Sequence, residues 1–203
     1  ILTYRSVRIA VVEAKAESKP AIAGMAQAKD DAKNYVHVPF AYSTNGHEIE
    51  EFDFTTNQQR SLARFPTPEE LWNRYVEHAL KVRQDRLDPL VYPFHFVYGG
   101  KSPRYYQEAA VRRVIEAIVT GKKRILVTMA TGSGKTYVAF QVTWKLLKSR
   151  YFRRVLYLAD RVFLRDQAYN EFAPFEDARA VIEEGKAPRT RDVYFSIYQA
   201  MYS

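Results

Sequence analysis

A glycine-rich turn between an apolar run and a helix pattern constrains the fold of this chain more than any other feature of its sequence. The segment ILVTMATGSGKT covers residues 125–136. Gly132 and Gly134 let successive backbone N–H groups point at phosphate, and the following helix adds the positive end of its dipole. In such a loop Lys135 reaches the β- and γ-phosphates, and Thr136 ligates Mg²⁺. The residues predicted to bind a nucleotide here are Thr131, Gly132, Ser133, Gly134, Lys135 and Thr136.

The flanks of this turn favour a phosphate-binding loop over a chance glycine-rich turn. Apolar runs alternate with helix patterns along the second half of the chain. We predict strands at 124–129, 154–159 and 192–197 and helices at 105–119, 135–149 and 162–172. This alternation indicates an α/β fold with a parallel sheet and right-handed crossovers.

The first 60 residues predict a strand, a helix and two further strands. Val7–Val12 is β-branched and apolar, and residues 21–33 are rich in alanine, with Gly24 as a weak point of the helix. Residues 38–46 end in an Asn-Gly turn. Residues 49–54 alternate apolar and acidic side chains, as the partner strand of a hairpin does.

A helix and an irregular stretch separate these two regions. Thr67 is predicted to cap the helix, since Pro68 and Glu70 complete a capping box with it. Residues 88–103 contain three prolines and two glycines, which break regular structure. We interpret residues 60–103 as a connector.

The composition excludes several kinds of protein. The 203 residues include no cysteine, so neither a disulfide framework nor a thiolate zinc site is available, and the four histidines lack metal-ligand spacing. No apolar run reaches the roughly 18 residues that a membrane span requires. We expect a soluble, cytoplasmic protein without a membrane partner.

Positive charge is concentrated in the second half of the chain. The formal net charge is +8; residues 1–100 hold 12 Lys+Arg against 13 Asp+Glu, and residues 101–203 hold 19 against 10. Only the second half therefore suits a polyanion such as a nucleic acid. The alternative is that its basic residues simply solvate helix faces and turns. The residues concerned are Lys122, Lys123, Arg124, Lys145, Lys148, Arg150, Arg153 and Arg154.

An acid and a lysine two residues apart occur four times, at Glu13/Lys15, Glu17/Lys19, Asp31/Lys33 and Glu184/Lys186. Only Glu13 directly follows a buried strand-like run, so that Glu13 and Lys15 project from one face at the strand end. Metal-dependent nucleases of the PD-(D/E)xK class use this geometry, in which carboxylates hold Mg²⁺ and the lysine stabilises developing charge. Under this interpretation Glu13 is a Mg²⁺ ligand and Lys15 is the charge stabiliser. The alternative is a solvated strand terminus.

Two segments of the second half resemble helicase superfamily 2. The strict phosphate-loop pattern has glycine where this chain has Met129, and MATGSGKT is similar to the relaxed loop of that superfamily. The segment RYYQ, residues 104–107, resembles its adenine-reading motif. This resemblance implies that Gln107 hydrogen-bonds the adenine edge and that Arg104 or a neighbouring aromatic ring stacks on the base. The alternative for RYYQ is an ordinary helix N-terminus.

Taken together, these segments resemble the R subunit of type I restriction-modification systems over nearly the whole chain. The resemblance rests on the Glu-x-Lys strand, MAQAK, VPFAYSTNG, RYYQ and the superfamily 2 loop. It implies that Gln27, 14 residues after Glu13, joins the nuclease site; the tyrosine that the family usually has four residues later is Asp31 here. It also implies a first metal-binding aspartate just ahead of Ile1.

The fold implied by this resemblance is α/β. Residues 1–59 would be the C-terminal part of a PD-(D/E)xK nuclease domain, residues 60–103 a connector, and residues 104–203 the N-terminal portion of the first RecA-like, parallel-sheet ATPase lobe. The implied activity is ATP-dependent translocation of double-stranded DNA with Mg²⁺-dependent cleavage, and the implied partners are methylation and specificity subunits. Because the first aspartate and the acidic ATPase motif are missing from the sequence, we expect the 203-residue piece to be inactive alone.

Two other functional hypotheses remain open from the sequence. One is a superfamily 2 nucleic-acid remodelling ATPase whose N-terminal region is a non-catalytic docking module. The other is a non-enzymatic scaffold that senses a nucleotide or binds DNA without turnover.

Overall fold

The structure, a computed structural model, describes residues 1–5, 7–100, 102–183 and 186–201. It is a mixed α/β protein with two sheets. The chain divides into two compact units. Unit 1 comprises Ile1–Val91 and Glu116–Lys123, and unit 2 comprises Tyr92–Ile115 and Arg124–Ser203.

Unit 1 contains a five-stranded sheet in which the strands lie side by side in chain order. The strands are β1 (Leu2–Tyr4), β2 (Val7–Ala14), β3 (Phe40–Thr44), β4 (Ile49–Asp53) and β5 (Gln58–Leu62). Only β2 and β3 pair in parallel, and the other neighbours are antiparallel. The predicted strands that became β2, β3 and β4 are confirmed. Strand β5 was not predicted because its sequence, QQRSL, has no apolar alternation.

A helical segment connects the parallel strands β2 and β3. It begins as a 3₁₀ turn (Ala21–Gly24), continues as helix α1 (Met25–Asp30) and ends as a π-helical turn (Asp31–Val36). Buried side chains of this segment pack on the sheet. The core cluster that results consists of Val11, Met25, Ala28, Ala32, Val38 and Ala41. The predicted helix over residues 21–33 is therefore confirmed, although its winding changes along its length.

Helix α2 (Pro68–Arg74) has the capping box that the sequence predicts. The Glu70 backbone N–H donates to Thr67 Oγ1 at 3.2 Å, and the Thr67 N–H donates to the Glu70 carboxylate at 2.8 Å. Both N-terminal donors are thus satisfied locally. Three short helical pieces follow in unit 1: a π-helical turn (Tyr75–Leu80), a 3₁₀ turn (Gln84–Arg86) and α3 (Asp88–Val91).

A buried ion-pair network joins β4 to α2. The Glu51 side chain is 0% exposed and accepts hydrogen bonds from Arg74 at 2.8 and 3.0 Å and from Arg60 at 2.9 Å. Arg74 also donates to Asp53 at 2.7 Å, and the Tyr42 hydroxyl donates to Glu51. Burial opposes ionisation of Glu51, but the Arg74 and Tyr42 hydrogen bonds outweigh it and lower the pKa of this carboxyl. We refer to these five residues as the Glu51 network.

Unit 2 contains a three-stranded sheet and three helices of ten or more residues, of which the first, α4, extends into unit 1. The elements are α4 (Tyr105–Val119), α5 (Lys135–Lys148), β6 (Val155–Ala159), α6 (Val162–Glu171), β7 (Arg179–Val181) and β8 (Val193–Ile197). The sheet has the order β6-β8-β7, and both pairs are parallel. The predicted helices, two of the predicted strands and their parallel pairing are confirmed. Strand β7 was not predicted, since it contributes only three residues.

The predicted strand over residues 124–129 is wrong. These residues form no regular structure, and Leu126 is 91% exposed. An apolar run becomes a strand only when a neighbouring strand satisfies its backbone donors and acceptors. Among the described residues no strand pairs with this run.

The core of unit 2 is rich in aromatic rings. Its buried cluster consists of Phe140, Ala168, Phe172, Phe175, Val193 and Phe195. Phe172 makes edge contacts with Phe140 and Phe195 at centroid distances of 5.3 and 5.2 Å, which are favourable for aromatic pairs. This cluster packs α5 and α6 against the sheet. In the part of the chain that the structure describes, no helix has the length and apolar character needed to cross a membrane.

Candidate functional site

The structure brings Glu13, Lys15 and Gln27 together at the end of β2. Glu13 lies opposite Ser43 in the parallel pair of β2 and β3, and the Lys15 backbone N–H donates to the Thr44 carbonyl at 2.8 Å. The Lys15 ammonium donates to Glu13 Oε1 at 2.9 Å and to Gln27 Oε1 at 3.2 Å. Two separate elements therefore supply this cluster, since Gln27 is on α1.

The cluster is accessible from solvent. The side chains of Lys15 and Glu13 are 23% and 21% exposed. Partial burial strengthens their ion pair relative to a fully solvated one, while the remaining exposure leaves room for a ligand. The cluster can thus present a carboxylate and an ammonium to the same small region.

The other acid-lysine pairs have no such arrangement. Glu17 pairs with His47 at 2.7 Å on an exposed surface, and no ion pair is described between Glu17 and Lys19 or between Asp31 and Lys33. Glu184 lies outside the described residues. Of the pairs that can be compared, only Glu13/Lys15 forms an internal ion pair at a strand end.

The Glu13 cluster supplies only part of a metal site. Within the described ranges, no group of three or more His, Cys, Asp or Glu residues could hold a metal ion. Mg²⁺ requires octahedral oxygen coordination, to which Glu13 contributes a single carboxylate. The remaining oxygen ligands would have to come from elsewhere, such as water, DNA phosphate or another acid.

Gly24 lies against the Glu13 cluster, a position that the sequence did not suggest. It was interpreted as a weak point of a helix, but the structure places it in contact with the Glu13 cluster. A Cβ atom at this position would lie 2.2 Å from Ser43 Oγ and 2.9 Å from Lys15 Cε. No local sequence signal reports this approach, because the contacting residues are far apart in the chain.

The glycine-rich loop has the backbone geometry of a phosphate-binding loop. Gly132 and Gly134 have positive φ angles of 76° and 88°, and α5 begins immediately afterwards at Lys135. The Lys135 ammonium donates to the carbonyls of Met129 at 3.3 Å and Ala130 at 3.1 Å, so it lies within the curve of the loop. Nothing lies within 4 Å of the Cβ position of Gly132. This arrangement fits the phosphates of a nucleotide.

The remaining predicted loop residues flank this arrangement. Thr131 is exposed, and the Ser133 hydroxyl donates to the Ala130 carbonyl at 2.6 Å. Thr136 lies in the first turn of α5, directly after Lys135. Burial raises the pKa of Tyr157 on β6, and the Thr136 side chain acts against that rise. Thr136 is thus at the helix N-terminus, where a phosphate-bound Mg²⁺ would need a ligand.

Gln107 lies directly against the phosphate loop. Its amide nitrogen donates to the Ser133 carbonyl at 2.9 Å, and its amide oxygen accepts from the Arg104 backbone N–H at 2.9 Å. A Cβ atom at Gly134 would lie 2.4 Å from the Gln107 amide nitrogen. The Arg104 guanidinium donates to the Tyr106 hydroxyl at 3.0 Å. The structure therefore brings the RYYQ segment and the loop into one site.

Two polar residues of α5 that the sequence did not single out hold the chain ahead of RYYQ. Gln141 accepts from the His95 N–H and donates to the His95 carbonyl, both at 3.0 Å. Lys145 is 4% exposed, donates to the Tyr92 carbonyl and lies 4.5 Å from the centre of the Phe94 ring. Burial lowers the pKa of Lys145 to about 8. Lys145 is therefore unavailable to a polyanion. The prediction that it belongs to the basic residues of the surface is wrong.

Comparisons with known proteins relate this chain to restriction enzymes. Residues 100–203 match the family described as "Type III restriction enzyme, res subunit". Over 202 residues the chain is 37% identical to the endonuclease subunit of the type I restriction enzyme EcoAI from Escherichia coli, a match covering 96% of this chain and 25% of that subunit. Over 162 residues it is 36% identical to the EcoKI endonuclease subunit from Escherichia coli, covering 72% of this chain and 13% of that subunit.

A solved structure shares the fold. A fragment from Vibrio vulnificus YJ016, described as belonging to an HsdR subunit of a type I restriction enzyme, superposes with a TM-score of 0.82 at 47% identity. The match covers 96% of this chain and 35% of the solved one. This chain spans a quarter or less of the length of the two Escherichia coli endonuclease subunits. Through residues 100–203 it belongs to the restriction-enzyme res-subunit family, and along nearly its whole length it is homologous to the endonuclease subunits of type I restriction enzymes.

Proposed function

We propose that the full-length protein carrying this chain is the motor and endonuclease subunit of a type I restriction-modification system. It would use ATP to translocate double-stranded DNA and would cleave that DNA with Mg²⁺, in complex with methylation and specificity subunits. The main support is that one chain carries both the Glu13–Lys15–Gln27 cluster and a phosphate loop with Gln107 beside it. The 37% identity to the EcoAI endonuclease subunit adds to this support.

The proposed domains follow from the same resemblance. Residues 1–59 would be the C-terminal part of a PD-(D/E)xK nuclease domain and residues 60–103 a connector. Residues 104–203 would be the first portion of a RecA-like lobe, which the parallel order β6-β8-β7 supports.

In the proposed cleavage step, Glu13 contributes one carboxylate to a Mg²⁺ site. The metal supplies Lewis acidity when bound. Lys15 lies 2.9 Å from Glu13, so its ammonium can stabilise negative charge that develops on a phosphodiester held there. Gln27 accepts a hydrogen bond from the same ammonium and so restricts the position of Lys15.

In the proposed ATPase site, each side chain of the loop has a separate task. When a nucleotide binds, the Lys135 ammonium would release the Met129 and Ala130 carbonyls and would donate hydrogen bonds to the β- and γ-phosphate oxygens instead. The Thr136 hydroxyl would ligate the Mg²⁺ that accompanies the phosphates. Gln107 would read the adenine edge, with Arg104 beside it. The basic residues of the second half of the chain would contact the phosphates of the DNA backbone.

The nuclease assignment is tested by Glu13→Ala and Lys15→Ala in the full-length subunit with its partner subunits. We expect each change to lower Mg²⁺-dependent DNA cleavage by at least about a hundredfold, because a metal ligand or the charge stabiliser is lost. ATP hydrolysis should be retained. The matched control is Glu17→Ala, which removes a nearby exposed acid. Full cleavage by the Glu13→Ala protein would reject the nuclease site.

The ATPase assignment is tested by Lys135→Ala in the same complex. We expect DNA-stimulated ATP hydrolysis to be abolished, because the only side-chain cation of the loop is removed. Lys33→Ala, at an exposed lysine of the first half of the chain, is the control and should keep its rate. If the Lys135→Ala protein hydrolyses ATP at the normal rate, the loop is not the catalytic site.

A second candidate function is compatible with the same site. Among the described residues Glu13 belongs to no group of three or more His, Cys, Asp or Glu side chains that could hold a metal ion. A nucleic-acid remodelling ATPase with a non-catalytic N-terminal docking module would also fit this observation. That candidate predicts ATP hydrolysis without Mg²⁺-dependent cleavage, and no effect of Glu13→Ala on ATP turnover. A scaffold without turnover would show neither activity.

A further inference from the structure

The Glu13 cluster depends on how closely the start of α1 lies against the ends of β2 and β3. Gln27 is only three residues beyond Gly24, and it reaches the Lys15 ammonium at 3.2 Å. Any change in the distance between this helix start and the strand ends therefore alters the contact between Gln27 and Lys15.

At Gly24 this segment leaves no room for a side chain. An added Cβ would meet Ser43 Oγ at 2.2 Å, Lys15 Cε at 2.9 Å and Glu13 Cγ at 3.1 Å. Real Cβ atoms do not tolerate contacts as short as the first two. Two of the three atoms belong to the proposed catalytic side chains, so any group at this position displaces them or the helix.

The backbone at Gly24 does not itself require glycine. Its φ of −90° and ψ of −11° lie in the right-handed helical region. Alanine is favoured over glycine in that conformation, because it loses less backbone freedom on folding. The close approach, and not the backbone conformation, accounts for glycine here.

The Ser43 hydroxyl oxygen, which is the atom nearest to the added Cβ, cannot easily move away. Ser43 is fully buried, and its hydroxyl donates to the Ala21 carbonyl at 2.6 Å. The Ala21 N–H in turn donates to the Glu48 carboxylate at 3.0 Å. The helix start is thus tied to β3 and to the loop that follows it, which leaves Lys15 and Glu13 as the parts that can shift.

We propose that Gly24 is a positioning residue of the nuclease site: the absence of a side chain at this position sets the distance at which Gln27 holds Lys15 beside Glu13. This inference rests on the proposed nuclease function of Glu13 and Lys15. Gly24 contacts no reacting group in this scheme and acts only through the two side chains it adjoins.

The first test is Gly24→Ala in the full-length complex. We expect DNA cleavage to fall about 10- to 100-fold, since displacements of about 1 Å at reacting groups have effects of this size. ATP hydrolysis should be unchanged. The control is Ala26→Gly, which removes a methyl group at an exposed position of the same helical segment, whereas Gly24→Ala adds one. This control should leave cleavage unaffected.

A second measurement separates positioning from general stability. In the full-length subunit with selectively labelled lysine and glutamine, NMR of the Lys15 ammonium and the Gln27 side-chain amide reports their hydrogen bond directly. We expect this hydrogen bond to be lost in Gly24→Ala while the melting temperature changes little. A normal Lys15–Gln27 hydrogen bond in Gly24→Ala would overturn the proposal.

A double-mutant cycle with Ser43→Ala tests the collision itself. Ser43→Ala removes the atom at 2.2 Å, so Gly24→Ala should reduce cleavage less in the Ser43→Ala background than in the native one. Equal reductions in both backgrounds would overturn the proposal. If the single Gly24→Ala protein does not fold, recovery of folding in the double variant supports the collision, and continued unfolding contradicts it.

Glu13→Ala, measured in parallel, separates the two levels of inference. Unchanged cleavage in Glu13→Ala rejects the proposed nuclease function. Loss of cleavage in Glu13→Ala together with full cleavage in Gly24→Ala rejects only the positioning role.

Discussion

Glu51 shows how this fold accommodates a fully buried acid. Removing a carboxylate from water is unfavourable unless cations and donors replace the lost hydration. Arg74 and Arg60 provide those cations, and Tyr42 provides a further hydrogen bond. The same contacts orient α2 against β4. The acid is thus tolerated because the network is complete.

Glu51→Gln should destabilise unit 1 by about 3 kcal/mol, because it leaves Arg74 and Arg60 without their shared counter-ion. The free energy of unfolding from urea denaturation measures this loss. Glu50→Gln, on the same strand but partly exposed, is the control and should change stability by less than about 1 kcal/mol. Equal effects of the two changes would contradict the importance of burial.

The same network predicts how stability depends on pH. The pKa values of Glu51 and Asp53 are lowered in the folded protein from their ordinary 4.5 and 3.8, through hydrogen bonds that outweigh burial. A lowered folded pKa contributes stability that is present above the unfolded value and is lost as the pH falls through the folded one. The native chain should therefore lose stability below about pH 4.5, and the deficit of Glu51→Gln should shrink in that range.

At the scale of elements, α5 organises more of unit 2 than its motif suggests. Its N-terminus carries Lys135, which is proposed to bind phosphate, and its middle holds His95 and Tyr92 through Gln141 and Lys145. Residues 96–103 connect them to RYYQ. One helix thus positions both the phosphate loop and the segment proposed to read the base.

Gln141→Ala should release this segment. The His95 N–H and carbonyl would lose their partners, which we expect to cost about 1–3 kcal/mol. Native-state hydrogen exchange at the His95 amide should become faster. Gln167→Ala, an exposed glutamine on α6, is the control and should stay within about 0.5 kcal/mol of the native protein. Unchanged protection of His95 in Gln141→Ala would contradict this role of Gln141.

Most elements with a strong local pattern were predicted correctly, but the strand at 124–129 was wrong, and β5, which has no such pattern, was missed. The capping box of α2 and the helix α4 follow from side chains a few positions apart. Strand β5 has a polar sequence and is defined only by pairing with β4. The run at 124–129 has the pattern of a strand but lacks a partner among the described strands. Pairing is a non-local condition, so periodicity alone cannot establish it.

At the scale of the molecule, charge separates the two halves of the chain. The second half carries 19 basic residues against 10 acidic ones, and the first half 12 against 13. Arg153 and Arg154 are exposed in the second half. A nucleic-acid backbone releases bound counter-ions when such residues contact it, which makes binding sensitive to salt.

The combined change Arg153→Ala and Arg154→Ala should weaken binding to a non-specific DNA duplex. It should also flatten the plot of log affinity against log salt concentration by about 1 for each arginine that contacts a phosphate. Fluorescence anisotropy between about 50 and 200 mM salt measures both quantities. The control pair Arg83→Ala and Arg86→Ala is exposed in the first half. If the two double variants gave identical slopes, DNA binding by the second half of the chain would be contradicted.

Local chemistry in the sequence was sufficient to predict the glycine-rich loop, the helix that follows it and the relationship to restriction-enzyme subunits, but not the absence of a strand ahead of the loop. Positive φ at two glycines, a helix N-terminus and an adjacent lysine are all properties of neighbouring residues, so they can be read from a short segment. The match of residues 100–203 to a restriction-enzyme family agrees with that interpretation.

The close approach of Gly24 and the burial of Glu51 and Lys145 could be established only from the folded chain. Gly24 adjoins Lys15 and Ser43, and Glu51 meets Arg74, which is 23 residues away. Such contacts depend on the distance between packed elements, and that distance is a collective result of many side chains. A sequence pattern therefore marks Glu13 and Lys15 as candidates, whereas tertiary packing determines that Gln27 meets them.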